Sequence, residues 1–339
     1  MDNQPFVSYH IEERSFVAYI KREIHNLVKD HFSVQRTGEI DIIVSELASN
    51  IVKYANRGEL LYRFLTKEEK SIFEIIAIDN GPGIKDLPGM MKDGNSSSTT
   101  LGHGLGAIIR LSNFSQTYSQ VNLGTITYCQ VCSEDTDEVP EEMDKKILIR
   151  ALAIAKPGEE KCGDGFSIRK EGTRIKFMLA DGLGHGILAN QAAETAIQSF
   201  EQNSKHHEPS EILRYIHADV KKTRGLVATV VTLDTKEKDI RICGVGNIAT
   251  RIYNGIVLKN NMPYNGIVGL NIPVTLNNTV TPMEKYQTIV LCSDGITTRW
   301  DIMKYPSILK YDPLIIAAAI YRDHGRKTDD MSVLVAKIK

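Results

Sequence analysis

The stretch Ala180-Asp-Gly-Leu-Gly-His-Gly186 lies between two segments with different hydrophobic patterns. The run before it, 165–180, is rich in β-forming residues, and the segment 186–202 has the apolar spacing of a helix. We therefore expect Asp181 to lie at the end of a strand, where it is followed by a glycine-rich turn. Three more aspartates occupy similar junctions beside apolar runs.

These four junction aspartates together indicate a chemistry that one of them alone would not. A single aspartate before a glycine is usually a turn former. Four of them, with no set of His or Cys residues alongside, favour hard cations such as Mg²⁺ or Mn²⁺. Asp181 is joined by Asp164 in Cys162-Gly-Asp-Gly-Phe166, Asp294 in Ser293-Asp-Gly-Ile296 and Asp329 in Thr328-Asp-Asp-Met331.

The region around these motifs alternates between short β-rich runs and helical segments. This pattern predicts an α+β fold built from layers of sheet and helix. The β-rich runs are 147–155, 165–180, 226–234, 239–254, 287–293 and 331–338, and the helical segments are 186–202, 209–222 and 311–322.

The ordered series G-D, D-G-x-G-x-G, S-D-G and D-D-M resembles the metal-dependent Ser/Thr protein phosphatases of the 2C type, in the SpoIIE/RsbX branch. The resemblance covers residues 147–339, and it implies an α-β-β-α sandwich and two bound Mn²⁺ or Mg²⁺ ions. The stretch Cys162-Gly-Asp-Gly-Phe166 departs from the commoner G-G-D-Y/F form. RsbX-like members depart in the same way, so one hypothesis is that the substrate preference is that of the RsbX-like sub-branch.

The phosphatase resemblance also implies a role for each aspartate. Asp181 would bridge the two metals, and the backbone carbonyl of Gly182 would complete one of the sites. Asp294 and Asp329 would hold the other metal, whereas Asp164 would act mainly through metal-bound water. Water, not a protein side chain, would then attack the phosphoserine.

Several assignments in this region stay open. Asp330 is an alternative to its neighbour as a ligand, because adjacent residues at a strand start point in opposite directions. His185 is interpreted as a structural residue before a helix, with proton donation as the alternative. The candidate phosphate-binding arginines are Arg169, Arg174 and Arg299.

The segment 133–146, Ser-Glu-Asp-Thr-Asp-Glu-Val-Pro-Glu-Glu-Met-Asp-Lys-Lys, divides the chain. It contains seven acidic residues and almost nothing that could be buried, which is typical of a linker. The sequence therefore predicts two domains, at 1–132 and 147–339. The alternative is an acidic surface loop within a single domain.

The N-terminal unit combines helical and strand patterns, which predict a sandwich of helices and a sheet. A short helix and two more strands, the last ending near Val131, follow a Gly/Ser/Thr-rich stretch at 89–106. The preceding elements are helices over Ser15–Phe32 and Gly38–Ala55 and strands over Leu60–Thr66 and Ser71–Asp79.

Three motifs in this unit occur in a fixed order. In Ser45-Glu-Leu-Ala-Ser-Asn-Ile51, Glu46 and Asn50 lie one helical turn apart on the same face. The strand that ends at Asp79 continues as Asp79-Asn-Gly-Pro-Gly-Ile84, whose glycines let the backbone approach a ligand closely. Leu101-Gly-His-Gly-Leu-Gly-Ala107 then opens a helix, where free N–H groups favour phosphate.

Together the three motifs resemble the N, G1 and G2 boxes of the GHKL ATPase superfamily, over residues 10–131. The stretch ELASNIVKYA is most similar to the anti-sigma-factor serine kinases of the RsbT/RsbW type, which implies a Bergerat α/β sandwich. ATP with Mg²⁺ would be the cofactor. The lid would lie between Lys85 and Leu101.

The kinase resemblance implies a role for each motif residue. Glu46 would orient or deprotonate the attacking serine, and Asn50 would hold the Mg²⁺. Asp79 would accept a hydrogen bond from the adenine amino group. The glycines would shape the adenine pocket, at Gly81 and Gly83, and the triphosphate cradle, at Gly102, Gly104 and Gly106.

Composition limits the partners and the compartment. The chain of 339 residues has 41 basic and 42 acidic residues, so its net charge of -1 provides no overall attraction to nucleic acid or to an anionic membrane. No apolar run reaches the ~18 residues of a membrane span, and cytoplasm is the expected location. The 5 cysteines do not resemble a disulfide framework. The C-x-x-C pair, Cys129 and Cys132, is interpreted as part of a strand, with metal or redox use as the alternative.

The two resemblances imply opposite reactions on one chain, ATP-dependent phosphorylation of a serine and removal of the phosphate. They indicate a bacterial partner-switching regulator that acts on a STAS-domain antagonist or a stressosome protein. Two alternatives apply to the N-terminal unit. It could be a nucleotide-gated binding module with little kinase turnover, or it could bind a sigma factor directly.

Overall fold

The computed structural model describes residues 4–55, 57–67, 70–91, 104–133, 146–205, 207–255 and 257–339. Its N-terminal unit contains β1 (Val7–Ile11), α1 (Arg14–Val28), α2 (Val34–Asn50), a π-helical turn (Ile51–Ala55), β2 (Gly58–Lys67), β3 (Lys70–Asp79), α3 (Leu87–Met90), α4 (Gly104–Leu111), β4 (Phe114–Gln120) and β5 (Gly124–Cys132).

The N-terminal strands form one antiparallel sheet in the order β1-β2-β3-β5-β4. Strand β3 is apolar at consecutive positions because both faces of the sheet are covered. Ile75 and Ala77 pack against α1, α2 and α4, whereas Ile76 and Ile78 belong to a second core on the opposite face. The predicted sandwich of helices and sheet is therefore present, with an additional layer on the sheet's other side.

Helix α2 differs from the predicted helix at both ends. It begins earlier, because Ser33 caps it by accepting a hydrogen bond from the backbone N–H of Arg36 at 3.2 Å. The predicted helix continues to Ala55, but the last five residues form a π-helical turn directly after Asn50. Such turns are often found at functional sites.

The C-terminal unit is built from two five-stranded antiparallel sheets and three α-helices. Its elements are β6 (Ile147–Ile154), β7 (Asp164–Glu171), β8 (Arg174–Gly182), α5 (Ile187–Asn203), α6 (Pro209–Asp219), β9 (Leu226–Asp234), β10 (Asp239–Val245), β11 (Ala249–Tyr253), β12 (Leu258–Asn261), β13 (Thr279–Pro282), β14 (Thr288–Cys292), α7 (Pro313–His324) and β15 (Met331–Ile338).

One sheet has the order β13-β10-β9-β8-β7 and the other β12-β11-β14-β15-β6. The predicted run 165–180 is a hairpin of β7 and β8, and the run 239–254 is divided between the two sheets. The chain crosses between them at Gly246, where φ is +108° and a Cβ atom would lie 2.1 Å from a methyl carbon of Val227. Only glycine fits this crossing without strain.

The helices complete an α-β-β-α sandwich, as predicted. Helices α5 and α6 pack on the sheet that contains β8 and β9, and an apolar core lies between the two sheets. Helix α7 packs on β6 and β15 of the second sheet. The same helix also packs on β3 and β5 of the N-terminal sheet, so it is enclosed between the two units.

Polar contacts accompany this shared apolar core. The backbone N–H of Phe6 donates to the carbonyl of Ala153 at 2.7 Å, which joins the first residues of the chain to β6. Arg63 pairs with Glu74 at 2.5 Å inside the interface, and its guanidinium reaches the carbonyl of Ala151 at 3.4 Å. The two units are therefore packed on each other.

The acidic segment 133–146 lies, apart from its two end residues, outside the described residues. Within the parts of the chain that the structure describes, we find no helix that has both the length and the apolar character of a membrane span.

Candidate functional site

Two of the predicted aspartates form a cross-strand pair at one end of the sandwich. Asp164 begins β7 and Asp181 lies near the end of β8, and the antiparallel register places them directly opposite each other. Like charges in such positions repel and destabilise a sheet. A pair of this kind therefore requires a compensating group or a functional reason.

The second sheet supplies the other two predicted aspartates. Asp294 follows β14 and Asp329 precedes β15, and these strands are neighbours. The junctions are tied together because the N–H of Ser293 donates to the carbonyl of Ser332, at 3.1 Å. Asp294 also lies close enough to Asp181 to influence its pKa, so the two sheets approach each other at this end.

The electrostatics of the cluster show that all four carboxylates lie near one another. Burial, followed by the charges of Asp164, Asp294 and Asp329, raises the pKa of Asp181 to about 9. Burial also raises the pKa of Asp164 to about 7, although the nearby hydroxyls of Ser293 and Ser332 oppose the shift.

The donor atoms fit a hard cation. Both carboxylate oxygens of Asp164 are buried, and neither makes a hydrogen bond of normal geometry to the described residues, although the hydroxyls of Ser293 and Ser332 lie close by. The cluster offers only oxygen donors, which Mg²⁺ and Mn²⁺ prefer. No group of three or more His, Cys, Asp or Glu side chains within the described ranges stands in a ready-made metal-binding arrangement. A bound cation would stabilise the deprotonated forms of neighbouring carboxylates.

The two adjacent aspartates before β15 have different surroundings. Asp329 is half-buried and contributes to the raised pKa of Asp181. Asp330 is buried, and its Oδ1 accepts from the backbone N–H of Lys156 at 2.8 Å. A Cβ atom on Gly163 would lie 2.6 Å from Oδ2 of Asp330, so the loop packs closely on this carboxylate. Asp330 thus holds the loop that precedes β7, and Asp329 stays the predicted ligand.

Gly182 and His185 follow Asp181 in the glycine-rich turn. A Cβ atom on Gly182 would lie 2.3 Å from the carbonyl oxygen of Ala189, so the turn can pack on α5 only with glycine there. His185 is paired through Nδ1 with Glu159, at 2.6 Å. This contact is in line with the structural interpretation of His185, and proton donation remains untested.

The three candidate phosphate-binding arginines do not approach the cluster in the described residues. Arg169 pairs with Glu201 at 3.0 Å, and Arg174 pairs with Asp234 at 2.8 Å. Arg299 is exposed, and no contact with the carboxylates is seen.

Two residues that the sequence analysis missed lie at this site. Asn247 donates through Nδ2 to Oδ2 of Asp294 at 3.1 Å. Arg224 is exposed, and its Nη1 lies 3.0 Å from the position that a Cβ on Gly184 would occupy, in the turn after Asp181. Neither contact is local in sequence, so no spacing rule could have indicated them.

In the N-terminal unit, the predicted phosphate end of the site is brought together on α2 and α4. A Cβ atom on Gly104 would lie 3.3 Å from Oε2 of Glu46 and 3.6 Å from Nδ2 of Asn50. The first turn of α4 therefore faces the carboxylate and the amide, as the motif order predicts. Gly106 is buried in the same helix.

Asp79 marks the other end of this site. Its Oδ1 accepts from the backbone N–H groups of Gly81, at 2.8 Å, and Thr125, at 3.2 Å. Both hydrogen bonds are accepted by Oδ1, and no hydrogen bond to Oδ2 is seen within the described ranges. Burial raises the pKa of Asp79, although these two donors oppose the shift. A Cβ atom on Gly81 would lie 3.0 Å from the Cβ of Ala55, so the site follows α2 and its π-helical turn.

Other predicted features of this unit have different outcomes. Gly83 has φ +72°, and a Cβ there would lie 2.0 Å from the carbonyl oxygen of Gln120, so close backbone packing requires a glycine. Gly102 and most of the predicted lid lie outside the described residues. Cys129 and Cys132 are buried and unpaired in β5, and burial raises the pKa of both thiols. Their interpretation as strand residues is confirmed.

Parts of the chain are similar to known sequences. Residues 171–339 match the family model of Stage II sporulation protein E (SpoIIE). A segment of 107 residues is 27% identical to the phosphoserine phosphatase RsbX of Bacillus subtilis (strain 168), and covers 32% of this chain and 53% of RsbX. A segment of 80 residues is 40% identical to the serine/threonine-protein kinase RsbT of the same organism, and covers 24% of this chain and 60% of RsbT. The matches thus span little more than half the length of either relative.

Solved structures give the fold. A chain from the structure reported as "The bacterial stressosome: a modular system that has been adapted to control secondary messenger signaling" is 27% identical, with a TM-score of 0.53, over 57% of this chain and 100% of that one. RsbX in complex with magnesium is 21% identical, with a TM-score of 0.51, over 58% of this chain and 97% of RsbX. The C-terminal unit has a SpoIIE/RsbX-type phosphatase fold.

Proposed function

We propose that the C-terminal unit is a Mn²⁺- or Mg²⁺-dependent protein phosphatase that acts on phosphoserine or phosphothreonine. The observation that carries the proposal is the convergence of Asp164, Asp181, Asp294 and Asp329, from two sheets, on one end of the sandwich. Two cations held there would supply an activated water and neutralise the charge of the transferring phosphoryl group.

The chain's own residues perform the remaining tasks. Asp181 and the carbonyl of Gly182 would hold a cation on the first sheet, and Asp294 and Asp329 would do so on the second. Asp164 would orient water through its buried carboxylate oxygens. Burial of the cluster strengthens each of these interactions by excluding solvent.

We infer that Arg224 orients the phosphate of the substrate. Its guanidinium lies over the turn that follows Asp181, and no carboxylate partner for it is seen in the described residues. A planar cation with several donors matches a phosphate group. The other candidates, Arg169 and Arg174, are already engaged by carboxylates.

The proposed substrate is a small STAS-domain antagonist or a stressosome protein. The chain is similar to RsbX and RsbT and to a chain of a bacterial stressosome structure. These likenesses support a partner-switching role in stress signalling. Substrate identity is inferred from the relatives and not from the site.

The phosphatase is tested by incubating the full chain with Mn²⁺ and a phosphoserine STAS protein and measuring phosphate release. Asp181→Ala should abolish release. Asp239→Ala removes a carboxylate that only pairs with Arg241, so it should leave the rate unchanged. Absence of release from several such substrates, with metal bound, would favour a binding or scaffold role instead.

We further propose that the N-terminal unit binds ATP with Mg²⁺ and phosphorylates a serine of the same partner. Support comes from the proximity of Gly104 to the Glu46–Asn50 pair, and from the likeness to RsbT. Glu46 would act on the serine hydroxyl, Asn50 would hold the cation and Asp79 would bind the adenine.

The kinase proposal is tested with Glu46→Gln. This variant should keep ATP binding and lose transfer of the γ-phosphate to a STAS protein. Unchanged transfer would contradict the kinase assignment. Loss of ATP binding in Asp79→Asn, without any kinase turnover in the wild type, would favour a nucleotide-gated module. Co-purification with a sigma factor that an antagonist displaces would favour direct sigma-factor binding by the N-terminal unit.

A further inference from the structure

The C-terminal end of α7 reaches the proposed nucleotide site. The Arg322 side chain is only 4% exposed and extends from the phosphatase unit into the N-terminal unit. Its Nη1 donates to the backbone carbonyls of Asp79, at 3.3 Å, and of Leu123, at 2.5 Å. These carbonyls lie where β3 ends and β5 begins, beside the carboxylate assigned to adenine. Arg322 therefore holds the backbone of the nucleotide site.

The residues after Arg322 hold the loop of a proposed metal ligand. The N–H of Thr297 donates to the carbonyl of His324 at 2.9 Å, and the N–H of Arg326 donates to the carbonyl of Gly295 at 2.8 Å. Gly295 directly follows Asp294. A shift of the end of α7 would thus move the Asp294 loop with it.

A second contact between the units lies just before the other ligand. Lys327 pairs with Glu59 of β2, at 2.9 Å and 3.1 Å to its two oxygens. The hydroxyl of Tyr321 donates to the same carboxylate at 3.2 Å. Lys327 has φ +59°, a backbone conformation that residues other than glycine rarely adopt. Such a conformation persists only where the surroundings enforce it. Asp329 lies two residues further on.

We propose that Arg322 and Lys327 are positioning residues through which the N-terminal unit fixes the loops of Asp294 and Asp329, and that nucleotide and metal therefore bind in linkage. The inference rests on the proposed function of both sites. It differs from simple adhesion, for which the apolar core around α7 suffices. Arg322 contacts the backbone of Asp79, and Lys327 belongs to the loop that leads to Asp329.

Linkage is reciprocal for binding free energies. If metal at the carboxylate cluster alters the affinity for nucleotide, nucleotide must alter the affinity for metal by the same factor. Couplings of this kind are typically about 5-fold to 150-fold. Removal of an outer residue that orients a ligand commonly weakens metal binding by about 10-fold to 100-fold.

The first experiment measures Mn²⁺ affinity of the full chain by calorimetry, without nucleotide. Lys327→Met and Arg322→Met should each weaken binding about 10-fold or more, and Lys327→Arg should restore it, because it retains a cation for Glu59. Arg241→Met breaks two ion pairs, with Glu208 and Asp239, far from both loops and should bind Mn²⁺ like the wild type. Circular dichroism and thermal unfolding identify any variant that does not fold.

The second experiment is a double-mutant cycle on nucleotide affinity, with a fluorescent ATP analogue at saturating Mg²⁺. Asp181→Asn removes metal from the cluster and should change the nucleotide dissociation constant about 5-fold or more. In the Arg322→Met background, the same substitution should have no effect. In the Arg241→Met background, the full effect should remain.

The outcomes distinguish this inference from the function on which it rests. If the wild type binds neither Mn²⁺ nor the analogue, the proposed function fails and the inference fails with it. If Asp181→Asn loses Mn²⁺ and Asp79→Asn loses the analogue, both sites stand. Unchanged Mn²⁺ affinity in Lys327→Met and Arg322→Met, or a cycle without coupling, would then contradict the proposed linkage and leave the proposed function standing.

Discussion

Asp181 and Asp164 face each other across two strands, and their surroundings favour the protonated forms in the metal-free protein. Burial and neighbouring carboxylates raise the pKa of Asp181 to about 9 and that of Asp164 to about 7. A raised pKa in the folded state stabilises the fold at low pH, and this contribution is lost as the pH rises through those values. A bound cation requires the deprotonated carboxylates.

We therefore predict that Mn²⁺ affinity increases with pH. Each proton displaced makes the dissociation constant fall by up to about tenfold per pH unit, and the rise should be evident between pH 6 and pH 8. Calorimetry in buffers of different ionisation enthalpy would count the protons released. In the same window, the metal-free protein should lose thermal stability as pH rises. An affinity that does not change over this range would contradict the raised pKa values.

Arg224 is expected to act on substrate binding and not on the metals. Loss of a charge-assisted hydrogen bond costs about 1.5–3 kcal/mol, so Arg224→Ala should raise KM for a phosphoserine protein about 10-fold to 100-fold. Arg224→Lys should recover part of this loss, because the charge remains without the planar fork. Mn²⁺ affinity should be unchanged. A KM equal to that of the wild type would show that this guanidinium does not contact the phosphate.

The residues of the two sites differ in how far the sequence indicates them. Asp181 and Asp294 could be predicted because each sits in a local motif, an acidic residue at a strand end followed by glycine. Asn247 and Arg224 could not, because their proximity to these motifs depends on how the two sheets pack. Arg322 belongs to a predicted helix, but its contact with the Asp79 loop joins residues 243 positions apart in the chain.

At the scale of elements, α7 has an unusual environment. The helical spacing over 311–322 predicted the helix, but an isolated pattern does not show what covers its faces. Nine consecutive residues of α7 are buried, Pro313 to Tyr321, because one sheet of each unit lies against it. A helix that is apolar on every side is buried on every side.

The three consecutive alanines of α7, Ala317 to Ala319, test this enclosure. Each is fully buried, and successive positions point in directions about 100° apart. Substitution of any one by leucine should lower the free energy of unfolding by about 1–3 kcal/mol, because no face has room. Denaturant titration measures the change. Gln198→Leu on the exposed face of α5 should cost little. Tolerance of leucine at one of the three positions would reveal an open face.

At the scale of the whole molecule, the elements form a stack of layers. The order is helices α1, α2 and α4, the N-terminal sheet, helix α7, the two sheets of the C-terminal unit, and helices α5 and α6. The acidic segment 133–146 predicts two units, but it does not show whether they are packed on each other. The packing of the units depends on residues of both, such as the pair of Arg63 with Glu74 and the contact from Phe6 to β6. A pattern within one segment does not contain that information.

Because the units share a core, we predict that they unfold together. Arg63→Met leaves the carboxylate of Glu74 buried without its nearest cation, which costs about 3–5 kcal/mol. Burial by itself would raise the pKa of Glu74, but the charges of Arg63 and Arg150 lower it. The ionised Glu74 therefore stabilises the fold above the ordinary carboxyl pKa, and this contribution is lost as the pH falls. Calorimetry at pH 7 should give a single transition that moves as a whole. Arg169→Met breaks a partly exposed pair and should cost less than about 1 kcal/mol. Two transitions, of which Arg63→Met moves only one, would show that the interface is too weak to couple the units.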